Sequence, residues 1–566
     1  MWDVVRFARE RGIAWAGKGS AAASLVAYAL GITDADPIRF NLYFERFLNP
    51  ERKDPPDIDV DFCWRRRDKV IDYVLRRYGS ERAAMICTYN RFGFRSALRE
   101  VAKAHGLAPE EITALFRWAG DEVRRIFESG AAPDRRLTVR DAASPSIGHE
   151  PFRTILYTAR AIRDHPRHLS IHAGCLVIAP TRLSDFVPIQ RSGKGVPITQ
   201  FDMHPIEDIG LVKIDLLGQR SLSVISDTVE GARRQHRVEV DVHHLPEDDA
   251  ASAALLRQGR TIGCFQVESP GMRALLQKLQ ADNLPILVAA ESIIRPGPAD
   301  SGLMRAFIHR YLGLEKPQYA HPALAKLLGE TFGVMLYQED VLKVAQAIGG
   351  LTLGEADDLR RSMTKKRNYE GVASLRERFI AGALSRGFPN EVTEATWKQI
   401  SSFAGYAFCK AHSAAYSVLS WQAVYLKAHF PALFLAAVLS NRGGFYAPGV
   451  YVEEARRIGL KILPPNLNAA ETNCTAEGNV IRIGFSFVKS LTGRTIEQIL
   501  RERRSSAFLS LSDFASRVRC TQREMQSLIL CGGMDSFGLN RPQLMWQLET
   551  LSHTQKEQVR PAQPGL

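Results

Sequence analysis

The stretch Pro56-Asp57-Ile58-Asp59-Val60-Asp61-Phe62 sets a carboxylate at every second position. Because successive side chains of a β-strand point to opposite faces, the pattern predicts a strand that projects Asp57, Asp59 and Asp61 together. Like charges so close raise one another's pKa values unless a cation lies between them, and hard oxygen ligands are how proteins hold Mg²⁺ against a phosphate substrate. The string therefore asks for a metal ion. Its plain alternative is a solvated edge strand, and the surrounding sequence has to decide.

The chain has 566 residues, 45% of them apolar, enough for more than one packed core. Its 74 basic and 61 acidic side chains leave a formal charge of +13, which favours a polyanionic partner, nucleic acid before an anionic membrane surface. The charge is distributed, with short clusters at Arg65-Arg66-Arg67, Arg360-Arg361, Lys365-Lys366-Arg367 and Arg503-Arg504. The eight cysteines show no Cys-x-x-Cys spacing, so neither a zinc ribbon nor a disulfide framework is expected. No apolar run reaches the roughly eighteen residues of a bilayer span. The charged start, Met1 to Arg11, reads as a helix and not a signal peptide, so a cytoplasmic location is expected.

Outward from the acidic string, Gly12 to Ala16 predicts a short strand that stops at Gly17-Lys18-Gly19-Ser20, before an Ala-rich helix to about Leu30. Strand, glycine turn and helix form a layout in which backbone N–H groups can cradle a phosphate at Gly19-Ser20. It is not a Walker loop, because the order Gly-Lys-Gly-Ser lacks the required ending. From Asn90 to Pro166 the chain reads as a mostly helical insertion, with Phe94, Ala97, Leu98, Val101 and Ala104 at helical spacing and turn residues at Ser129 to Asp134. Strands return at Cys175 to Ile178 and at Leu211 to Leu217, the second holding Lys213 and a solitary Asp215. An acid in an apolar strand is costly to bury alone. It is either satisfied by Lys213 or is a further carboxylate brought beside the first ones, with Lys213 facing a substrate anion.

After Arg220 the pattern is long and helical. It includes Arg295-Pro296-Gly297-Pro298, Tyr337-Gln338-Glu339-Asp340, and a capping box Thr352-Leu353-Gly354-Glu355 before a helix on which Arg361 and Lys365 share a face. A second marked helix carries Tyr416, Leu419, Ala423, Leu426 and Phe430 as a core stripe behind a polar start at Lys410-Ala411-His412-Ser413. Smaller mixed units follow Pro431, and the last dozen residues look frayed. His165, His168 and His172 have spacings a metal can use on a helix, yet Pro166 interrupts them and no zincin glutamate stands nearby. Ser413 beside His412, and Ser170 beside His172, lack a nucleophile elbow and are read as ordinary hydrogen-bonding groups.

Together these stretches carry a resemblance. Gly17 to Tyr28, Phe44-Glu45-Arg46-Phe47-Leu48-Asn49-Pro50-Glu51-Arg52 and the Asp string resemble the palm of bacterial C-family DNA polymerases, DNA polymerase III α subunits and error-prone relatives among them. The likeness continues through His172-Ala173-Gly174, Thr199 to Asp202, Lys213 to Gly218, Phe265 to Ser269, Arg295 to Pro298, Leu359 to Met363 and Phe403 to Tyr416. It implies an α+β multidomain chain: a polymerase-beta-like nucleotidyltransferase palm at 1–89 and 167–220, a helical thumb inserted at 90–166, large mainly α fingers at 221–430, and a region at 431–566 leading towards a clamp-binding domain. It implies that Asp57, Asp59 and Asp215 hold two Mg²⁺, with Asp61 in reserve. Gly19, Ser20, Arg46, Lys213, Arg360 and Arg361, and from the fingers Lys410 and His412, are implied to surround the triphosphate. The implied partners are primed template DNA and dNTPs, with a sliding clamp and other replisome subunits beyond them, and no membrane. Lys18, Ala23 and Cys175 depart from the family's Arg, Gly and Gly, and lysine lacks the bidentate fork of arginine. An N-terminal PHP domain and the first part of the palm are expected to be missing, as at both ends of a truncated subunit. A template-directed DNA polymerase is the expected function; the alternatives are a defective remnant that only binds DNA, or a nucleotidyltransferase acting on another acceptor.

Overall fold

The structure, a computed structural model, describes residues 1–52, 56–118, 151–294, 302–365, 369–403 and 408–558. Outside them lie the turn residues at Ser129 to Asp134, the Arg295 to Pro298 motif, Lys366-Arg367, and Ala404 to Ala407 within the Phe403 to Tyr416 stretch. The chain is α+β and forms two compact units, one of Met1–Ile71 with Leu216–Leu566 and one of Asp72–Asp215.

In the first unit, strand β1 (Trp15–Lys18) pairs antiparallel with β2 (Asp59–Cys63), Lys18 opposite Asp59 and Ala16 opposite Asp61. On its other edge β2 runs parallel to residues Leu216–Gln219, Val60 pairing with Leu216. The expected alternation holds along β2: Val60 and Phe62 are fully buried on one face while Asp59 and Asp61 take the other. The strand begins only at Asp59, so Asp57 lies just before it. The Ala-rich helix expected after Ser20 is broken, a 3₁₀ turn at Gly19–Ala23 giving way to a short helix, Leu25–Ala29, where the Ser24 hydroxyl accepts the Ala27 N–H. Serine competes for backbone hydrogen bonds, which makes it a cap and not a helix interior residue.

The helical mass of this unit packs on a core that includes Leu276, Leu287, Val424, Phe434 and Leu435. Helix Lys410–His429 runs through it with Leu419, Ala423 and Leu426 buried, matching the predicted stripe. A second core gathers Leu342, Leu359, Phe379 and Ile400. Its helix Leu353–Lys365 starts as the capping box foretold: the Thr352 hydroxyl accepts the Glu355 N–H at 3.3 Å, and the Glu355 carboxylate accepts the Thr352 N–H at 2.9 Å. Glu51 fastens the same helix start from afar, accepting from the Thr352 hydroxyl at 2.8 Å and the Gly354 N–H at 3.1 Å.

Further along, strands Lys461–Leu463, Val480–Arg482 and Thr475–Glu477 form a small sheet in that order. Behind it a separate core packs around Phe485, Phe508, Phe514 and Leu528. Here the Thr521–Glu524 capping box closes helix Gln522–Leu530. Burial alone would raise the Glu524 pKa, but bonds from the Thr521 and Thr492 N–H groups and the Thr495 hydroxyl outweigh it and hold the carboxyl at about 2. A folded pKa below the unfolded value of about 4.3 stabilises above that pH and fades as pH falls towards 2. The thermal midpoint of this part should therefore drop on acidification from pH 5 to pH 2, and Glu524→Gln should flatten that dependence; circular dichroism melts across pH check it.

In the second unit, Lys213–Asp215 begin strand β7 (Lys213–Gln219) and pair antiparallel with β4 (Pro166–Ile178), Cys175 opposite Asp215. Strand β4 pairs in turn with β3 (Ala83–Arg91), and β3 with β6 (Pro197–Thr199). The predicted helix over Phe94 to Ala104 forms and buries Ala97, Leu98 and Val101 against Ile112, Leu115 and Ile155. Strand β4 is longer than its apolar end suggests, and His168 and His172 lie within it, which removes the helical spacing a zinc site would use. Among the described residues no helix is long and apolar enough to cross a membrane.

Candidate active site

Gly19, Ser20, Arg46, Asp57, Asp59, Arg360, Arg361 and His412 line one cavity of about 440 Å³ in the first unit. Strand β1 delivers the glycine turn to its wall. Gly19 has φ of +72°, a backbone conformation that favours glycine, and a Cβ there would press on Asp59 Oδ2 at 3.3 Å. Asp57 is exposed and Asp59 half-buried, as carboxylates available to a cation should be.

Asp61 shares a strand face with Asp59 but has another part. It is buried, one oxygen 2.7 Å from the Lys18 ammonium and the other accepting the Tyr416 hydroxyl at 3.1 Å. The reserve metal ligand is thus a clasp between β1, β2 and helix Lys410–His429. Lys18, a departure from the family's arginine, needs only a single acceptor for this and finds it diagonally across the β1–β2 pair.

Facing the carboxylates is a guanidinium array. Asp357 accepts from Arg360 Nε at 2.8 Å and from Arg361 Nε at 2.7 Å. The Gln338 amide oxygen accepts from Arg46 Nε at 3.1 Å and Arg360 Nη1 at 3.4 Å. Burial would raise the Asp357 pKa, but the two arginines hold it below the ordinary aspartate value. Burial, with Arg46 beside it, draws the Arg360 pKa down from its usual value. Gln338, Asp357, Arg52, Phe408 and Cys409 also line the cavity, and residue spacing had singled out none of them.

His412 rises from the first turn of helix Lys410–His429, its ring edge-on to Phe408 at 5.1 Å and Tyr416 at 4.4 Å. Lys410, one of the residues implied to surround the triphosphate, is not among the cavity-lining residues: its ammonium reaches Glu330 at 2.5 Å and the Asn41 carbonyl at 3.4 Å. Only its backbone serves this end of the helix, the N–H donating to Glu339.

Lys213 and Asp215 belong to the second unit. The Lys213 ammonium lies 3.1 Å from Glu207 and 4.0 Å from Asp215. His172, Cys175 and Asp215 bring ligand-type atoms within 4.8 Å of one another. His172 Nδ1, however, accepts the Gly174 and Cys175 N–H groups at 3.2 and 2.8 Å, which leaves the ring proton on Nε2 and makes the imidazole a donor. Burial and the adjacent Asp215 push the Cys175 thiol pKa well up. With the His172 acceptor nitrogen taken by the backbone and the Cys175 thiol held to its proton, the trio lacks the free donors a soft metal needs.

Residues 1–218 match the family model described as the bacterial DNA polymerase III alpha NTPase domain, residues 221–387 that of its finger domain, and residues 459–544 a helix-hairpin-helix motif. An error-prone DNA polymerase of Symbiobacterium thermophilum is 37% identical over 98% of this chain and 53% of its own length. The DNA polymerase III subunit alpha of Thermus aquaticus is 38% identical over 100% of this chain and 47% of its own length, and that of Bacillus subtilis 36% identical over 100% and 51%. The chain thus spans about half the length of the curated relatives it matches. With the matches following one another through both the strand-bearing and the helical regions, the chain belongs to the bacterial C-family DNA polymerases.

Proposed function

We propose that the chain performs template-directed DNA synthesis, joining deoxynucleoside triphosphates to a primer 3′-hydroxyl, with Asp57, Asp59 and Asp215 as the ligands of two Mg²⁺. The observation that carries this reading is the cavity whose lining Asp57 and Asp59 share with Arg46, Arg360 and Arg361. Carboxylates suited to hard cations face guanidiniums suited to phosphate oxygens, the pairing that phosphoryl chemistry needs. Asp215 is included because it is the acid of the Lys213 to Gly218 stretch through which the resemblance runs.

The donor set is all oxygen, which fits Mg²⁺. Bound there, the ions would activate the primer hydroxyl and neutralise the triphosphate and departing pyrophosphate. The chain's own residues orient the reactants: Gly19 and Ser20 bring backbone N–H groups close to an anion, and Arg46, Arg360 and Arg361 grip phosphate oxygens by charge-assisted bonds. Lys213 and His412 complete the nucleotide surround in this reading, with palm, thumb and fingers divided as the resemblance implies.

Primer extension by the purified chain with dNTPs and Mg²⁺ tests it. Incorporation that follows the template supports the reading; none, or addition without a template, overturns it. In the same assay Arg360→Ala should raise the dNTP KM by about tenfold or more, from the loss of one charge-assisted contact, with duplex binding unchanged.

A further inference from the structure

Gln338 sits where a carboxylate would be the stronger partner. Its amide oxygen is shared by two guanidiniums, Arg46 Nε at 3.1 Å and Arg360 Nη1 at 3.4 Å, and the residue is 9% exposed. Ionised acceptors bind arginine roughly twice as strongly as neutral ones. The same array uses a carboxylate, Asp357, between Arg360 and Arg361. Gln338 is also held firmly: its N–H donates to the Phe408 carbonyl at 2.9 Å, and Asp340 accepts the N–H groups of Leu336 and Tyr337 just before it, at 2.8 and 2.9 Å. The amide is thus fixed in place with its oxygen assigned by two donors on either side.

We propose that Gln338 is a charge-setting specificity residue: its neutrality lets Arg46 and Arg360 be positioned without being neutralised, so that the cavity wall keeps the positive charge a polyphosphate needs. This rests on the nucleotide-binding reading of the cavity. Among the described lining residues the cavity carries Arg46, Arg52, Arg360 and Arg361 against Asp357 and against Asp57 and Asp59, whose charge the proposed cations would offset. A second carboxylate would meet the same guanidiniums as the phosphate, in a half-buried site where water screens little. Stability and function should then move apart, since a glutamate in this place gains two ion pairs while the substrate loses its cations.

Calorimetric titration of the whole chain with inorganic tripolyphosphate and Mg²⁺ tests this without requiring polymerase activity. Gln338→Glu should weaken binding by at least about tenfold, the scale of one added like charge at contact distance, with an equal or higher thermal midpoint. Gln338→Met, of similar length and uncharged, should bind within about threefold of the wild type. Equal binding by wild type and Q338E, equal weakening in both variants, or a lowered midpoint in Q338E would each overturn the proposal while leaving the polymerase reading standing. Failure of the wild-type chain to bind tripolyphosphate would overturn both.

Discussion

Asp59→Asn is expected to cut nucleotide incorporation by about a thousandfold or more, while binding of primed duplex should keep the same dependence on salt. Asparagine keeps the size and one acceptor oxygen but removes the charge that holds a divalent ion, and the barrier reduction such ions supply is among the largest available to phosphoryl chemistry. Position makes the effect specific. Asp59 opens β2 beside the Gly19 turn and lines the cavity with Asp57, so the substitution disturbs neither the buried Val60–Phe62 face nor the array around Asp357. Duplex affinity, by contrast, is expected to arise from many phosphate contacts spread over a chain of net charge +13, so removing one negative charge should leave its salt slope intact. Asp57→Asn and Asp215→Asn should behave alike in primer extension. Full activity in any of the three would break the metal assignment at that residue.

Lys18→Met gives the largest expected loss of stability. Lys18 and Asp61 form a pair 2.7 Å apart whose side chains are 14% and 3% exposed. Removing the cation leaves Asp61 buried with, among the described residues, the Tyr416 hydroxyl at 3.1 Å to offset its charge. Breaking such a pair from one side destabilises by about 3–5 kcal/mol. Replacing both members, Lys18→Met with Asp61→Leu, should recover most of that loss, because the desolvated charge disappears with its partner. Denaturant unfolding of the single and double variants measures it, and a double variant no more stable than Lys18→Met would refute the account. Asp61 thereby separates from Asp59: one two-residue step along a strand divides a structural carboxylate from the one proposed to hold a cation.

That division marks how far the sequence could be read. Alternation placed Asp59 and Asp61 on one face, as β2 confirms, but alternation says nothing about what covers a face. Tyr416, 355 positions away, supplies the cover for Asp61. The glycine turn, the capping box at Thr352 and the stripe on helix Lys410–His429 were legible because each depends on local spacing. Gln338 and Asp357 were not. They are ordinary polar residues of helices, and their roles arise only when a partner such as Arg46, 292 positions from Gln338, is brought to them. Lys410 was named only through the resemblance, and its long stem carries the ammonium to Glu330, a contact that no local spacing foretells. Strand β4 was read short because its first half is polar and rich in histidine, and only pairing with β3 extends it.

Glu339 gives the cavity a further property. Both oxygens of this buried carboxylate accept the Lys410 N–H, at 3.1 and 3.0 Å, where helix Lys410–His429 begins. Helix beginnings attract phosphates elsewhere because their N–H groups lack partners and their dipole is positive. Here the Glu339 side chain already occupies that role. In the proposed nucleotide site this helix start is already matched from within the protein, so the pull on a polyphosphate has to come from the Gly19-Ser20 turn and the lining arginines, whose side chains can be exchanged singly without touching that cap.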